Sequence, residues 1–187
     1  MNIESTRKVD NIIKNKIPPS LKHLYQLTDD FGIIQFSKYN LPDISSGYTL
    51  DDNSRALLVA TCYYKLFKDK KVLDLARTYL NFIKICQRSD GAFHNILDQN
   101  RRFLDKQGSE DSFGRALWSL GFAIYSDLNK DLTVLADGIF KEASKFVNFL
   151  EFPRAKAFSI LGLFWYLKSK KDKKFILMFN NLASSLK

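Results

Sequence analysis

The chain has 187 residues, enough for one domain with a substantial core. A hydrophobic fraction of 45% and an aromatic fraction of 14% exclude a disordered chain. The formal net charge of +9 admits nucleic acid or an anionic surface as partners. Part of that excess, however, is the run Lys-Ser-Lys-Lys-Asp-Lys-Lys at 168–174, which falls at an expected helix–helix connection and reads first as a solvated turn. Nucleic acid is therefore the least favoured partner.

No apolar run reaches the ~18 residues needed to span a bilayer, and the first twenty residues lack a signal-peptide core. A cytoplasmic, non-membrane protein is expected. Cys62 and Cys86 lie in apolar helical stretches and are expected to be buried free thiols. With His23 far from His94, no metal site is expected, and no motif calls for a cofactor.

In chain order, residues 1–19 read as a weakly ordered segment, with a frayed helix up to Pro18-Pro19. Ser20 can cap a short helix from Leu21 to Leu27. Asp29-Asp30 leads through a turn into an extended segment at 31–36. An irregular stretch from Lys38 to Gly47 follows, of a length that is uncommon unless functional. From Asp51 the pattern becomes regular. A helix to about Phe67 is apolar nearly all round and must be covered on most sides, whereas Lys70 to Gln87 carries one apolar stripe. The alternation recurs at Arg115–Tyr125 and Lys130–Leu150, and again at Arg154–Leu167 and Lys173–Leu186.

Buried-then-striped helix pairs in succession are a repeat of helical hairpins. The buried members form an inner ring and the striped members an outer one, as in a half or incomplete α/α toroid. An ordinary helical bundle is the competing architecture, and it explains less well why every second helix lacks a polar face. The segment 89–108, with Asp90-Gly91 as a turn signal, is expected to be an ordered loop or short β-hairpin over the cleft.

Two frames coincide: Asp51-x-x-x-Arg55-Ala56-Leu57 returns as Asp111-x-x-x-Arg115-Ala116-Leu117. Paired carboxylates across a cleft are what glycoside hydrolysis uses, one as proton donor and one as base or nucleophile. Asp51, Asp52, Glu110 and Asp111 are the catalytic candidates on that reading. Asn53, Arg55, Asn95, His94 and Arg115 would bond sugar hydroxyls, and Tyr48, Phe93 and Trp118 would stack on the ring face. A plainer account covers the same residues. Thr49-x-x-Asp52 is a capping box, Ser109 can cap the second frame, and Asp51–Arg55 and Asp111–Arg115 are i,i+4 ion pairs. Trp118 in an apolar helix suits core packing, and a lone loop His94 suits an ordinary surface role.

Three stretches resemble a known superfamily: Gly-Tyr-x-x-Asp-Asp-Asn-x-Arg-Ala-Leu at 47–57, Asp-Gly-x-Phe-x-Asn at 90–95, and Gly-Ser-Glu-Asp-Ser-x-Gly-Arg-Ala-Leu-Trp-x-Leu-Gly at 108–121. They look like the six-hairpin glycosidase-like proteins of bacteria and archaea found beside, or fused to, sugar-nucleotide glycosyltransferases. The likeness covers roughly Leu21 to Gly121, and Thr28-Asp29-Asp30-x-Gly32-Ile33-x-Gln35 matches the segment that opens it. It implies a carbohydrate-processing or carbohydrate-binding domain acting on an oligo- or polysaccharide. The alternative is a non-catalytic helical partner docked on a glycosyltransferase. Three helix pairs are half of a full toroid, so closure would need a second copy of the chain or such a partner.

Overall fold

The computed structural model describes residues 17–186. The frayed helix expected within Met1–Lys16 lies outside the described residues. A short helix α1 (Lys22–Leu27) leads to a two-residue hairpin, β1 (Ser37–Lys38) with β2 (Leu41–Pro42), then a 3-10 turn at Ile44–Ser46 and strand β3 (Tyr48–Thr49). Helices α2 (Leu50–Phe67) and α3 (Val72–Cys86) form the first pair, and β4 (Ile96–Leu97) then returns to β3. The pairs α4 (Glu110–Ser126) with α5 (Lys130–Ala143), and α6 (Pro153–Ser169) with α7 (Lys173–Ser184), complete the chain's order.

Burial explains the layering. On α3, Val72, Leu75, Ala76, Tyr79, Leu80 and Ile83 are buried at helical spacing, and the opposite face is charged. Such a helix is covered on one face only, and α3, α5 and α7 each pack mainly on the helix before them. Helices α2, α4 and α6 therefore lie side by side as an inner layer, with α4 in the middle. Contact between α4 and α6 is backbone on backbone: a methyl group at Gly121 or Gly162 would collide with the facing helix's main chain. Gly114 against Ala155 repeats the approach two turns earlier, so the two helices run parallel and in step.

The structure corrects several expectations. Helix α2 is not covered on most sides: Val59, Cys62 and Leu66 are exposed at i, i+3 and i+7, so Cys62 is an exposed thiol while Cys86 is buried. Trp118 is half-exposed rather than in the core. The helix expected to run from Lys130 to Leu150 stops at Ala143 and tightens into a 3-10 segment, Ser144–Phe149. There the Ser144 hydroxyl bonds back to the Lys141 carbonyl, 2.7 Å away, and the chain turns so that Val147 and Leu150 point inward. On α7 the buried stripe is Phe175, Met178 and Leu182, Ile176 is exposed, and the helix stops at Ser184 so that Leu186 lies exposed beyond it.

The segment 89–108 is an ordered arm. Asp90-Gly91 makes a turn with Gly91 at φ +89°, and β4 pairs with β3 in the register Tyr48↔Leu97 and Thr49↔Ile96. Gly47, at φ +69°, lets the backbone pass the Leu97 carbonyl, where a Cβ would not fit.

Candidate functional site

Inner helices that run parallel and in step bring their N-termini to one edge of the layer, and the charged residues of the sequence frames gather there. Thr49 caps α2: its hydroxyl accepts from the Asp52 amide at 3.0 Å and donates to the Asp52 carboxylate at 2.6 Å. Asn95 adds a cap from the arm, its backbone carbonyl accepting from the Leu50 amide at 2.8 Å and its Oδ1 from the Asp51 amide at 3.3 Å. Two of the amides that every helix start leaves unsatisfied are thereby satisfied by one residue far away in sequence. On α4, Ser109 accepts from the Ser112 amide at 3.2 Å.

Both expected intrahelical ion pairs form. Arg55 meets Asp51 at 2.5 Å and Asp52 at 2.9 Å, and Arg115 approaches Asp111 at 3.4 Å. The structure adds two links across helices. Arg115 Nε stands 2.8 Å from Asp51 Oδ1, and Arg154 Nε donates to Asp111 Oδ1 at 2.6 Å. The result is a continuous chain of alternating charge, Asp52–Arg55–Asp51–Arg115–Asp111–Arg154, laid across the mouths of α2, α4 and α6. The Arg115–Asp51 contact lacks an aligned hydrogen bond, so its attraction is mainly coulombic. Beneath it, the Arg115 guanidinium lies 4.9 Å from the Phe158 ring centroid, and Phe158 stacks on Trp118 at 5.7 Å and 8°.

Glu110 is occupied differently. Its Oε2 accepts from the amides of Glu151 and Phe152 at 2.8 and 2.9 Å, which fixes the entry to α6. Beside it, Phe152 is 65% exposed on the rim of a depression of about 620 Å³ that Asp111, Pro153 and Arg154 also line.

Other candidates sit apart from this chain of charges. Asn53 is buried, accepting from the Ile33 amide at 3.0 Å and donating to the Thr49 carbonyl at 2.9 Å. Phe93 is buried against Phe113 at 5.7 Å. His94 stacks on Phe103 at 4.2 Å, and its Nδ1 lies 2.9 Å from the Asp105 carbonyl. The Tyr48 hydroxyl donates to Asp29 at 2.6 Å, and burial followed by that bond pushes the phenol up to about 12. Burial alone would raise Asp29, but the Tyr48 hydroxyl and the Gly32 and Phe31 amides outweigh it and hold the carboxyl below its usual range.

Arg154 and Phe152 escaped the sequence reading. One faint signal was available: Arg-Ala opens each inner helix, as Arg55-Ala56, Arg115-Ala116 and Arg154-Ala155. Among the described residues no cluster of three or more His, Cys, Asp or Glu is placed to hold a metal. Among the same residues no helix is long and apolar enough to cross a membrane.

Solved structures carry the same arrangement of helices. A sugar epimerase from a ruminal bacterium aligns over 95% of this chain with a TM-score of 0.74 and 16% identity. The cellobiose 2-epimerase of Bacillus thermoamylovorans B4167 aligns over 95% with a TM-score of 0.73 and 13% identity. The fold is an incomplete α/α toroid. Those neighbours belong to the six-hairpin glycosidase-like superfamily, and at such identities the likeness is one of fold. The chain spans 54% and 55% of their lengths, about half of each. No family profile matches the sequence, and no curated protein matches it.

Proposed function

We propose that this protein is a carbohydrate-recognition domain whose ligand lies along the mouth of the inner helices. The observation that carries the reading is the run of carboxylates and guanidinium groups from Asp52 to Arg154, flanked by the exposed ring of Phe152. Sugars are held in this way, with hydroxyls bonding charged side chains and the apolar face of the ring lying on an aromatic. The likeness to structures named for sugar epimerization supports a carbohydrate ligand. Asp111, Arg154, Arg115 and Asp51 would bond hydroxyls, and Phe152 would be the platform.

Turnover of the glycoside hydrolase kind is less well supported. It needs one carboxyl group free to donate a proton and a second on the other wall. Here Asp51, Asp52 and Asp111 all face guanidinium groups and Glu110 holds two amides, all along one wall. That saturation also favours the second reading, a non-catalytic partner of a glycosyltransferase or another protein.

A glycan array followed by titration of the best ligand tests the proposal. Asp111→Asn and Phe152→Ala should each weaken binding ~10-fold or more, the ~1.4 kcal/mol of one charged hydrogen bond or one stacked ring. Neither should lower stability by more than ~1 kcal/mol, since Asn keeps the carboxylate's shape and Phe152 is exposed. Retention of no glycan by the wild type, or unchanged affinity in both variants, would refute it.

A further inference from the structure

The inner helices end at the edge opposite the charged mouth, and lysines collect at that foot. The stretches 65–74, 127–131 and 168–174, where the chain passes from each inner helix to its outer partner, hold ten lysines against five aspartates. That is more than half of the net charge of +9. By itself the 168–174 run is a solvated turn, and the fold sets a second lysine cluster beside it. Lys65 Nζ lies 4.2 Å from the Tyr125 ring centroid, and Tyr125 meets Trp165 at 4.7 Å. Trp165 meets Phe164 at 5.1 Å, and Lys168 Nζ lies 5.3 Å from the Phe164 centroid. This ladder joins the foot of α2 to the foot of α6 through α4.

Among the described residues, only Lys170 of the ten has an ion-pair partner, Asp137 on α5 at 2.6 Å. Asp69 and Asp172 are turned to the amides of Lys71 and Lys174, at 3.0 and 2.9 Å, and Asp127 and Asp131 lie in the middle connection. At the mouth, by contrast, Arg55, Arg115 and Arg154 are all paired. Further helix pairs on either flank of the layer would leave the foot open.

We infer that this foot rests on the surface of an anionic phospholipid bilayer. Three observations select that occupant over a nucleic acid. Every cation of the three stretches is a lysine. Compact point charges suit a fluid array of headgroups, whereas nucleic-acid recognition favours the planar fork of arginine. The exposed apolar side chains at this end are aliphatic. Leu66, Ile176, Leu177 and Val134 are 42%, 45%, 62% and 64% exposed, and they can enter an acyl boundary but offer no platform to a base. Finally, α4 and α6 run parallel and in step, so their ends reach one level and both lysine clusters can meet a flat surface together. Such docking needs no spanning segment, and over the 17 residues of α4 it holds the mouth ~25 Å above the surface.

Co-sedimentation of the full chain with vesicles of phosphatidylcholine alone, or mixed with phosphatidylserine, tests the inference. Binding to the mixed vesicles only, weakening as sodium chloride rises, is expected. Lys171→Gln with Lys174→Gln should weaken it ~10-fold or more, with unchanged circular dichroism because both side chains are exposed. Lys68→Gln with Lys70→Gln, from the other cluster and equally exposed, should do the same. Arg102→Gln with Lys106→Gln removes as much charge from the arm at the mouth edge, and should change binding less than ~2-fold. Leu177→Ser should loosen the vesicles ~3-fold or more. A single-stranded oligonucleotide bound more tightly than the mixed vesicles would assign the foot to nucleic acid and overturn the inference. So would equal binding to both kinds of vesicle, binding to neither, or folded foot variants that bind as tightly as wild type.

Discussion

Arg115 ties α4 to α2, and its removal gives a measurable cost. Its side chain is 22% exposed and its partner Asp51 25%, so the pair is neither a surface bridge nor a buried one. Surface pairs are worth ~0.2–1 kcal/mol, and truncating one member of a buried pair costs ~3–5 kcal/mol. Two features pull Arg115→Ala below the buried figure: Asp51 keeps Arg55 and Asp111 keeps Arg154, so neither carboxylate is orphaned. One feature pulls it up, the guanidinium lying over Phe158, worth ~0.5–1 kcal/mol. The expected loss is ~2 kcal/mol, or ~4–8 °C in melting temperature for a domain of this size. Because part of it is coulombic, the difference from wild type should shrink as salt rises. Arg115→Lys keeps the charge but not the planar fork that reaches Asp51 and Asp111 together, and it should recover less than half of the loss. A double-mutant cycle with Asp51→Asn should give a coupling of ~1 kcal/mol. Urea titrations supply all four corners. Zero coupling, or an Arg115→Ala variant as stable as wild type, would show that packing alone aligns the inner helices.

Gly162→Ala should destabilise by ~1–3 kcal/mol or more in a thermal melt, because its methyl would overlap the Leu117 carbonyl, which cannot yield without moving α4. Gly138→Ala, with open space around it on α5, should instead stabilise by up to ~1 kcal/mol, and equal effects would contradict the packing argument. Tyr48, Tyr79 and Tyr166 are each raised to about 12, chiefly by burial, against ~10 when unfolded. Their contribution to stability is therefore complete below the unfolded value and is lost as pH climbs toward 12. Ultraviolet titration should show the Tyr48, Tyr79 and Tyr166 phenols ionising late, each lost from the late phase in its Tyr→Phe variant, and the absence of any phase near 12 would contradict it. Glu110→Ala should cost ~2 kcal/mol by releasing the Glu151 and Phe152 amides, and Glu110→Gln, which keeps an acceptor, should cost less than half of that by urea denaturation.

Local and periodic features were fixed by sequence. A stripe such as Val72, Leu75, Ala76, Tyr79 on α3 has one solution, a helix with that face inward, and an inner helix such as α4 with no polar face needs neighbours on several sides. Alternation of the two kinds therefore set the hairpin order and the incomplete toroid. Thr49 over Asp52 and Arg55 onto Asp51 are contacts within four residues, and spacing alone specified them. Contacts between helices depend on how far each inner helix is rotated and slid against the next, which no periodicity encodes. Arg154 reaching Asp111, Arg115 reaching Asp51, and Asn95 capping α2 belong to that class. The same rotation decided the fate of apolar residues that look alike in sequence. Phe93 turned into the core and Phe152 onto the rim, and Cys62 faced an open groove while Cys86 was enclosed. Hydrophobicity states that a residue prefers to be covered, and only the assembled layers determine whether this chain itself supplies the cover.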